Sequence, residues 1–281
     1  MILIADSGST KTHWIIADSS LPPYTTAGLN PHTCPEQTFV NICYDVVQHF
    51  AHATNHITQL YFYGAGCGTD AVQTQVKQLL SSTFPSTTIY VGSDLMGACR
   101  AINGHAAGMV GIMGTGSNIC FYDGAHIAYH QPSLGYLIAD EGSGNHIGKL
   151  LLRDFFCHNM PDDLQISFAA TFLIHTDVVI HNLYHQPQPN RYLASFAPFA
   201  ATHRNHPYIQ KLLDTVFDNF YQFQIQPIVP YCHNHTLGLV GGIASTFHDE
   251  IADNLQKHGI ILKRTLADPI ADLVKYHTST Q

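Results

Sequence analysis

The same order of structural elements occurs twice along this chain of 281 residues, and this repeat restricts its fold more than any other feature. Each copy begins with an apolar strand, Met1–Asp6 or Met109–Met113, which ends in a loop of glycine and hydroxyl residues. Further strands and then alternating helices and strands follow in both copies. The repeat predicts a duplicated α/β protein whose two lobes face each other across a cleft, where one ligand would contact both lobes.

Hydrophobic periodicity predicts the individual elements of each copy. In the first copy the further strands are Thr12–Asp18, Tyr24–Gly28, Leu60–Gly64 and Thr88–Val91, and the helices are Glu36–Ala53, Asp70–Ser82 and Leu95–Ile102. In the second copy the further strands are Ile119–Asp123, His126–Tyr129, Leu237–Val240 and Ile260–Leu262, and the helices are Ile243–His258 and Asp268–Tyr276. We therefore expect an N-terminal lobe over residues 1–103 and a C-terminal lobe over 104–281 with a helical insertion at about 141–230. The last helix is a candidate to pack back on the N-terminal lobe.

The loop after the first strand, residues 8–12, combines groups that suit a polyphosphate and its metal ion. Gly8 gives the turn freedom, the segment Ser9-Thr10-Lys11-Thr12 offers hydroxyls and a positive charge, and Asp6 brings a carboxylate to the strand end. Backbone N–H groups and hydroxyls can cradle phosphate oxygens, while a carboxylate can hold the water shell of Mg²⁺. An ordinary β-hairpin turn has a similar composition, so this first glycine loop alone leaves both interpretations open. Its repeat at Gly114–Asn118, the second glycine loop, favours phosphate binding.

Composition argues against several classes of partner and site. Charged residues make up only 11% of the chain, against a usual share of about 25%, and the formal net charge is −8 without a dense basic cluster. Nucleic acid is therefore not an expected partner. The seven cysteines are scattered without a CxxC pair, which disfavours a disulfide framework or zinc site and favours a reducing compartment. Because neither a signal peptide nor a membrane span is predicted, we expect a cytoplasmic protein without a membrane partner.

Two acids lie at predicted helix starts, where they have alternative roles. Asp94 follows a strand and opens a helix, whose dipole would keep the carboxylate ionised and able to accept a proton; an N-cap role is the alternative. In the segment Asp140-Glu141-Gly142-Ser143, Asp140 is either an N-cap or a ligand contact. Asn30 precedes a proline and is by default a turn residue. The histidines, among them His203, His206 and the segment Cys232-His233-Asn234-His235, lack the spacing of a tetrahedral metal site and are predicted to be solvated loop residues.

Five ordered motifs together are far more specific than either glycine loop. They are Asp6–Thr12, Gly28–His32, Ser93–Ala98, Gly114–Asn118 and Gly135–Ser143. With them, nearly the whole chain resembles the actin-like ATPase and sugar kinase superfamily, specifically the N-acetylglucosamine kinase-like branch of the BadF/BadG/BcrA/BcrD-type ATPases. The resemblance implies duplicated actin-like, ribonuclease H-like domains. It also implies ATP- and Mg²⁺-dependent phosphorylation of the 6-hydroxyl of an N-acetylated amino sugar, either N-acetylglucosamine or N-acetylmuramic acid. Apart from the resemblance, a homodimer is a candidate assembly of this chain.

The resemblance further implies a role for each residue that matches a family motif. Asp94 would be the catalytic base, and Asp6 would lie near Mg²⁺ through water. The ATP contacts would be Gly8, Ser9, Thr10, Lys11, Thr115 and Gly116, with Gly241 and Gly242 on the adenine side; the sugar contacts would be Asn30, Asp94, Ser117, Asn118, Gly135 and Asp140. The chain departs from the family pattern at His13, where an acid is common, and at Leu134, where some relatives carry an aromatic residue.

Two other functions remain alternatives at this point. One is an ATPase that activates a CoA-ester dehydratase or reductase, a class that resembles this branch but carries paired iron–sulfur cysteines. The isolated Cys99, Cys120 and Cys157 do not supply that pairing. The other is a non-catalytic sugar-binding sensor, which would not require the carboxylate at Asp94.

Overall fold

The structure is a computed structural model that describes residues 1–232 and 234–279. Up to residue 106 its elements are β1 (Ile2–Ser7), β2 (Lys11–Ile16), β3 (Tyr24–Ala27), α1 (Glu36–His49), α2 (Ala51–Thr54), β4 (Gln59–Gly64), α3 (Asp70–Thr83), β5 (Thr88–Ser93) and α4 (Asp94–Asn103). The following elements are β6 (Gly108–Met113), β7 (Ser117–Tyr122), β8 (Ile127–His130), α5 (Gly144–Phe156), α6 (Asp162–Thr171), α7 (Thr176–Tyr184), α8 (Pro189–Ala194), α9 (Ala197–Thr202) and α10 (Pro207–Phe220). The chain continues with a π-helical turn (Tyr221–Ile225), a 3₁₀ turn (Val229–Tyr231), β9 (Thr236–Val240), α11 (Gly242–Thr246), α12 (His248–Lys257), β10 (Ile261–Leu266) and α13 (Ile270–Thr278).

These elements form two compact units, each built on one five-stranded sheet. The first unit comprises Met1–Ala106, Gly124–His126 and the residues from Asp268 onward, and the second comprises Ala107–Asp123 and Ile127–Ala267. The helices α5 to α10 all lie in the second unit, whereas α13 belongs to the first.

Both sheets have the same strand order, which confirms the predicted duplication. The order is β3-β2-β1-β4-β5 in the first unit, and β8-β7-β6-β9-β10 in the second. In each sheet the central strand pairs antiparallel with the next strand of the chain and parallel with its other neighbour, β4 or β9. The carboxyl ends of β1, β4 and β5 therefore meet at one edge of the first sheet, and those of β6, β9 and β10 at one edge of the second.

Burial on both faces explains the continuous apolar runs of the central strands. Leu3 in β1 and Phe62 in β4 are fully buried, and they belong to a core that α1 and α3 complete through Val46 and Leu80. The second unit has a separate core, in which Met113 at the end of β6 belongs to the same cluster as residues of α5 and α10. Each such side chain contributes about 1.5–3 kcal/mol on burial, so each unit positions its loops on a packed sheet.

Most predicted elements are observed, with differences at helix ends. The expected helix Glu36–Ala53 divides at Phe50 into α1 and α2, and the expected helix Ile243–His258 divides at Phe247 into α11 and α12. Both phenylalanines are buried, so the chain bends to place an aromatic ring in the core. The predicted strand Ile260–Leu262 begins one residue later and continues to Leu266 in β10.

The C-terminal helix α13 is fixed to α4 and β4 by a polar cluster inside the first unit. Arg100 on α4 donates from Nη1 to the Tyr63 hydroxyl at 2.5 Å, and this hydroxyl lies 2.8 Å from His277 Nε2. His277 also stacks on Tyr61 with the ring centroids 3.7 Å apart. Burial lowers the pKa of His277 to about 4, so its imidazole is neutral and Nε2 can accept a hydrogen bond from the Tyr63 hydroxyl.

Among the described residues, no single helix has both the length and the apolar character needed to cross a membrane. One bent pair, α6 with α7, passes the same test jointly by length and composition, with a bend of 62° between the two helices.

Candidate active site

The first glycine loop closes tightly at the end of β1. The Gly8 N–H donates to the Lys11 carbonyl at 3.0 Å, and the Gly28 N–H donates to the Thr10 carbonyl at 3.1 Å. A β-carbon at Gly28 would lie 2.4 Å from the Gly8 carbonyl oxygen and 2.7 Å from the Ser9 carbonyl carbon. The backbone of Gly28 therefore lies directly against the loop, which brings the first and second sequence motifs together.

The Thr12 hydroxyl is not one of the exposed groups of this loop, contrary to the sequence interpretation. Thr12 is fully buried, its Oγ1 lies 2.8 Å from Ser7 Oγ, and it donates to the Ala27 carbonyl at 3.1 Å. Ser7 Oγ in turn accepts from the Leu29 N–H at 3.0 Å. Thr12 thus fastens β2 to β3, while Ser9 and Thr10 remain at the surface.

Asp94 is the first residue of α4, and its neighbour Ser93 supplies the N-cap. Ser93 Oγ accepts from the Met96 N–H at 3.1 Å, and Asp94 Oδ1 accepts from the Leu95 N–H at 2.9 Å. Burial raises the pKa of Asp94 to about 6, although its backbone hydrogen bonds act to lower it. Desolvation therefore outweighs the hydrogen bonds at the helix start and makes Asp94 more basic than an ordinary aspartate. The carboxylate is nevertheless charged at neutral pH, with a pKa close to that of an effective general base.

Asp6 lies near the end of β1 in a group of carboxylates. Burial, followed by the charges of Asp268 and Asp94, raises the pKa of Asp6 to about 8, and Lys11 acts in the opposite direction. These effects favour the protonated form of Asp6. Asp268, which sequence reasoning missed, contacts His13 Nδ1 through its carboxylate.

This arrangement suits a hydrated Mg²⁺ better than a fully protein-ligated ion. Among residues 1–232 and 234–279, no three His, Cys, Asp or Glu side chains converge closely enough to ligate one metal. Mg²⁺ usually keeps several waters and binds through one or two carboxylates and substrate phosphates. A nearby cation would also favour the charged form of Asp6, which burial and two neighbouring acids otherwise oppose.

Asn30 occupies a turn, as its sequence context predicts. Its Oδ1 accepts from the His32 N–H at 3.0 Å. Gly66, in the loop after β4, lies against this side chain, because a β-carbon there would be 2.6 Å from Asn30 Oδ1. Cys67 in the same loop is close enough to Asp94 for that charge to help raise the pKa of the thiol, after the larger effect of burial. The loop after β4 thus relates the Asn30 turn to Asp94, a link that no sequence motif indicated.

The second glycine loop is attached to the start of α5. The Gly144 N–H donates to the Gly114 carbonyl at 2.8 Å, and the Asn145 N–H donates to the Thr115 carbonyl at 3.1 Å. Ser143 is the N-cap of α5, with its Oγ accepting from the His146 N–H at 3.3 Å. Asp140 is therefore not the cap of this helix.

Asp140 is buried beneath the second glycine loop. Its Oδ1 accepts from the Ser117 N–H at 3.2 Å, and its Oδ2 accepts from Asn145 Nδ2 at 2.8 Å. A β-carbon at Gly116 would lie 2.8 Å from Asp140 Oδ2, so only glycine leaves room for the carboxylate. Burial raises the pKa of Asp140 and its two hydrogen bonds lower it. Ser117, expected to face a sugar, is itself buried and donates from Oγ to the Glu141 carbonyl at 2.7 Å, so its proton holds the loop together.

Two buried side chains that bond to Glu141 and Gly142 carried no sequence signal. Gln224 lies in the π-helical turn after α10 and donates to Glu141 Oε2 at 2.9 Å; π-helical turns of this kind often occur at functional sites. His146 Nδ1 accepts from the Gly142 N–H at 3.2 Å. Burial and the positive charge of Lys149 lower the pKa of His146 to about 4, so the ring is neutral and carries its proton on Nε2.

The remaining predicted residues of the second unit are placed as follows. Gly241 follows β9 and lies against the end of β6, where a β-carbon would come within 2.4 Å of the Met113 carbonyl oxygen. Gly242 is the exposed first residue of α11. Asn118 accepts from the Ile119 N–H at 2.9 Å within β7, and Gly135 occupies the loop after β8 with a φ of +73°. No contact joins Asn118 or Gly135 to Asp140 among the described hydrogen bonds.

The side chains of His203 and His206 have local partners, whereas His235 is exposed and accepts through its backbone carbonyl from the Ile261 N–H. His206 is the N-cap of α10, with its Nδ1 accepting from the Tyr208 N–H at 3.1 Å, and His203 lies 3.0 Å from the Phe199 carbonyl through Nδ1. His233 lies outside the described residues.

Comparison with solved structures relates this geometry to known proteins, although no family model and no curated protein sequence matches the chain. A candidate N-acetylglucosamine kinase from Porphyromonas gingivalis shares 34% identity over 99% of both chains, with a TM-score of 0.93. A second candidate N-acetylglucosamine kinase, from Chromobacterium violaceum, shares the fold at 16% identity, with 98% of each chain covered and a TM-score of 0.64. A ROK family glucokinase from Streptomyces griseus, solved with glucose and AMPPNP, also shares the fold, at 13% identity over 99% of this chain and 98% of the glucokinase, with a TM-score of 0.56.

The two latter structures, at low sequence identity, show that the chain shares their fold and no more. The Porphyromonas gingivalis protein establishes more, because its similarity combines substantial sequence identity with almost complete coverage. The chain therefore belongs to the same family as that protein, a family of candidate N-acetylglucosamine kinases with the actin-like ATPase fold.

Proposed function

We propose that this protein is a kinase that transfers the γ-phosphoryl group of ATP to the 6-hydroxyl of an N-acetylated amino sugar. We place it in the N-acetylglucosamine kinase-like branch of the BadF-type proteins, with a role in amino-sugar or cell-wall sugar salvage in the cytoplasm. The observation that carries the proposal is Asp94, a carboxylate at the junction of β5 and α4 whose pKa burial raises to about 6, in a chain similar to a candidate N-acetylglucosamine kinase over its full length.

Phosphoryl transfer needs positioning, charge neutralisation and acceptance of one proton, and little covalent chemistry. Asp94 would accept the proton of the sugar 6-hydroxyl as that oxygen attacks the γ-phosphorus. A carboxylate with a pKa of about 6 is roughly 90% ionised at pH 7, yet it is more basic than an ordinary aspartate. The capping hydrogen bond of Ser93 keeps α4 in place without consuming the Asp94 carboxylate.

The first glycine loop would contact the β- and γ-phosphates through Gly8, Ser9 and Thr10, with Lys11 as a further cation. Asp6 would hold Mg²⁺ through water, and this ion would supply charge neutralisation on the phosphates. The Gly28 backbone, packed against Gly8 and Ser9, fixes the shape of the loop before ATP binds. A preformed phosphate cradle lowers the ordering cost of binding.

The second unit would contribute Thr115 and Gly116 to phosphate binding and Gly241-Gly242 to the adenine side. The sugar contacts would include Asn30, Asn118, Gly135 and the Asp140 loop. These amide, backbone and carboxylate groups match the hydroxyl and acetamido groups of an amino sugar in hydrogen-bonding character.

The test is an ADP-release assay with ATP and Mg²⁺ against N-acetylglucosamine, N-acetylmuramic acid, glucose and glucosamine. We expect turnover with an N-acetylated sugar, and a ³¹P–¹H correlation spectrum that couples the product phosphorus to the protons on C6. The proposal would be wrong if no N-acetylated sugar stimulated ADP release, or if the product carried phosphate on another carbon.

A further inference from the structure

A single buried side chain, Asn145, connects two parts of the second unit that the proposed function uses. Its Nδ2 donates to Asp140 Oδ2 at 2.8 Å and to the Thr115 carbonyl at 2.8 Å. Its backbone N–H donates to the same Thr115 carbonyl at 3.1 Å. Asn145 is fully buried, so water does not compete for these bonds.

The orientation of this carboxamide is fixed by its partners. Both groups facing Nδ2 are acceptors, a carbonyl oxygen and a carboxylate oxygen, so exchanging the amide nitrogen and oxygen would place acceptor against acceptor. In the observed orientation Asn145 Oδ1 is buried without a hydrogen-bond partner. The side chain thus forms two hydrogen bonds through Nδ2 and leaves one buried acceptor, Oδ1, unsatisfied. Because buried polar atoms are normally hydrogen-bonded, this arrangement indicates that the two Nδ2 bonds outweigh the cost of the unsatisfied oxygen.

The first turn of α5 has no N–H left for an anion. Gly144 and Asn145 donate their N–H groups to the second glycine loop, and His146 donates its N–H to the cap residue Ser143. Helix starts often bind phosphate directly through such groups. Here they hold the loop that carries Thr115, so any effect of α5 on phosphate binding passes through the loop.

We propose that Asn145 is a positioning residue for phosphoryl transfer, which holds the Thr115 loop and the Asp140 carboxylate in one fixed arrangement. This inference rests on the proposed kinase function. Asn145 itself touches neither phosphate nor sugar. It acts by fixing the backbone that carries the Thr115 hydroxyl and by donating to the charged form of Asp140.

The charges around Asp140 explain why a neutral donor is needed. The charge of Glu141, the next residue in the chain, opposes ionisation of Asp140, and the charge of Lys149 favours it. The Asn145 amide and the Ser117 N–H are the donors that counter burial and Glu141. A carboxylate at position 145 would oppose Asp140 as a second like charge and would lose both donated bonds.

The chain contains a matched control for the structural part of this effect. Asn254 on α12 is also fully buried, donates from Nδ2 to a carboxylate, Asp218 Oδ1 at 2.8 Å, and to a carbonyl, that of Asp214 at 3.5 Å. Its Oδ1 is likewise buried without a partner. Asn254 therefore reproduces the packing and bonding of Asn145 away from the second glycine loop.

The experiment compares N145D and N145L with N254D and N254L by thermal melting and by steady-state kinetics from pH 6 to pH 8. For N145D at pH 8 we expect kcat/KM for ATP to fall about 100-fold, as for a displaced binding loop, while N254D loses stability and keeps its kinetic constants. The ratio of N145D activity to wild-type activity should rise as the pH falls, because a proton shared with Asp140 restores one donor. N145D is nearly isosteric, so it remains a test if N145L does not fold.

The proposal fails if the Asn145 variants keep wild-type kinetic constants. It also fails if the Asn254 variants lose as much activity as the Asn145 variants. If the wild type phosphorylates no sugar, the proposed function fails, and ¹³C NMR titration of Asp140 still tests the inference. In that case N145D or N145L must raise the pKa of Asp140 relative to wild type. The corresponding Asn254 variant must leave the pKa of Asp140 unchanged. Any other result overturns the role of Asn145.

Discussion

Replacing Asp94 with asparagine should remove activity and raise stability at the same time. Burial raises the pKa of this carboxyl from 3.8 to about 6, so the folded protein holds the charged form at a cost. The carboxamide that the D94N variant carries is never charged, and the cost disappears. The same substitution removes the proposed acceptor of the sugar hydroxyl proton.

The size of both effects follows from the pKa shift. One pKa unit corresponds to about 1.4 kcal/mol, so a shift of roughly two units sets an upper limit near 3 kcal/mol. Because Asp94 keeps some exposure to solvent, we expect a gain of about 1–3 kcal/mol. At about 2–4 °C per kcal/mol, the melting temperature should rise by several degrees. Loss of a general base lowers kcat by about 10²–10⁴-fold.

The pH dependence has a definite sign. Protonated Asp94 resembles asparagine, so the wild type and D94N should have equal stability below pH 3.8, the unfolded pKa. As the pH rises from 3.8 to about 6, the wild type becomes progressively less stable than D94N. Above about pH 6 the difference in stability is constant. Wild-type kcat should follow the charged fraction, falling about tenfold per pH unit below the pKa.

Asp70 provides the control, because it is also the first residue of a helix and follows a side-chain cap, Thr69. Asp70 is exposed, so D70N should lose a favourable helix-dipole interaction of about 0.3–1 kcal/mol and keep full activity. Melting curves from pH 4 to pH 8 and initial rates at saturating substrates measure both quantities. Equal melting temperatures for D94N and wild type at pH 8 would refute the burial argument, and a kcat within tenfold of wild type would refute the role as base.

Three further predictions concern the first unit. Gly28→Ala should raise KM for ATP at least tenfold, because the added β-carbon would lie 2.4 Å from the Gly8 carbonyl oxygen and displace the first glycine loop. Gly68→Ala is the control, because a β-carbon there meets open space and should leave KM unchanged. Equal KM values for the two variants would contradict this reasoning. Asp6→Asn should raise the Mg²⁺ concentration for half-maximal activity, measured by titration at fixed ATP, and an unchanged midpoint would argue against a metal role. Tyr63→Phe leaves the Arg100 guanidinium without its 2.5 Å acceptor and should cost about 1–3 kcal/mol in urea unfolding; no loss would contradict a stabilising role for this cluster.

Local sequence patterns were sufficient for the repeated sheet. The apolar runs of β1 and β6, each followed by a glycine loop, predicted the central strands of both units, and the strand order is the same in both. Alternation and helical periodicity depend only on neighbouring residues, which is why most strands and helices were predicted, while their ends differ, as at β10, which continues to Leu266. Helix breaks at Phe50 and Phe247 were missed, because they depend on where an aromatic ring finds room in the core.

The sequence predicted the residue types of the candidate site. It did not predict which hydrogen bonds those residues make. Serine and aspartate are both good N-caps, and only the folded backbone shows that Ser93 and Ser143 are the caps and leave Asp94 and Asp140 for other roles. The hydroxyl of Thr12, apparently suited to phosphate, bonds across the sheet to Ala27.

The sequence by itself determined the duplicated α/β architecture, the two glycine loops and the acids beside them, because these follow from periodicity and residue chemistry at short range. The tertiary structure alone decided how those groups behave. It brought Gln224 to Glu141 across 83 residues of chain and placed Asp268 beside His13. It also set the pKa of Asp94, since desolvation and Coulomb interactions depend on distances in space and not on distances along the chain.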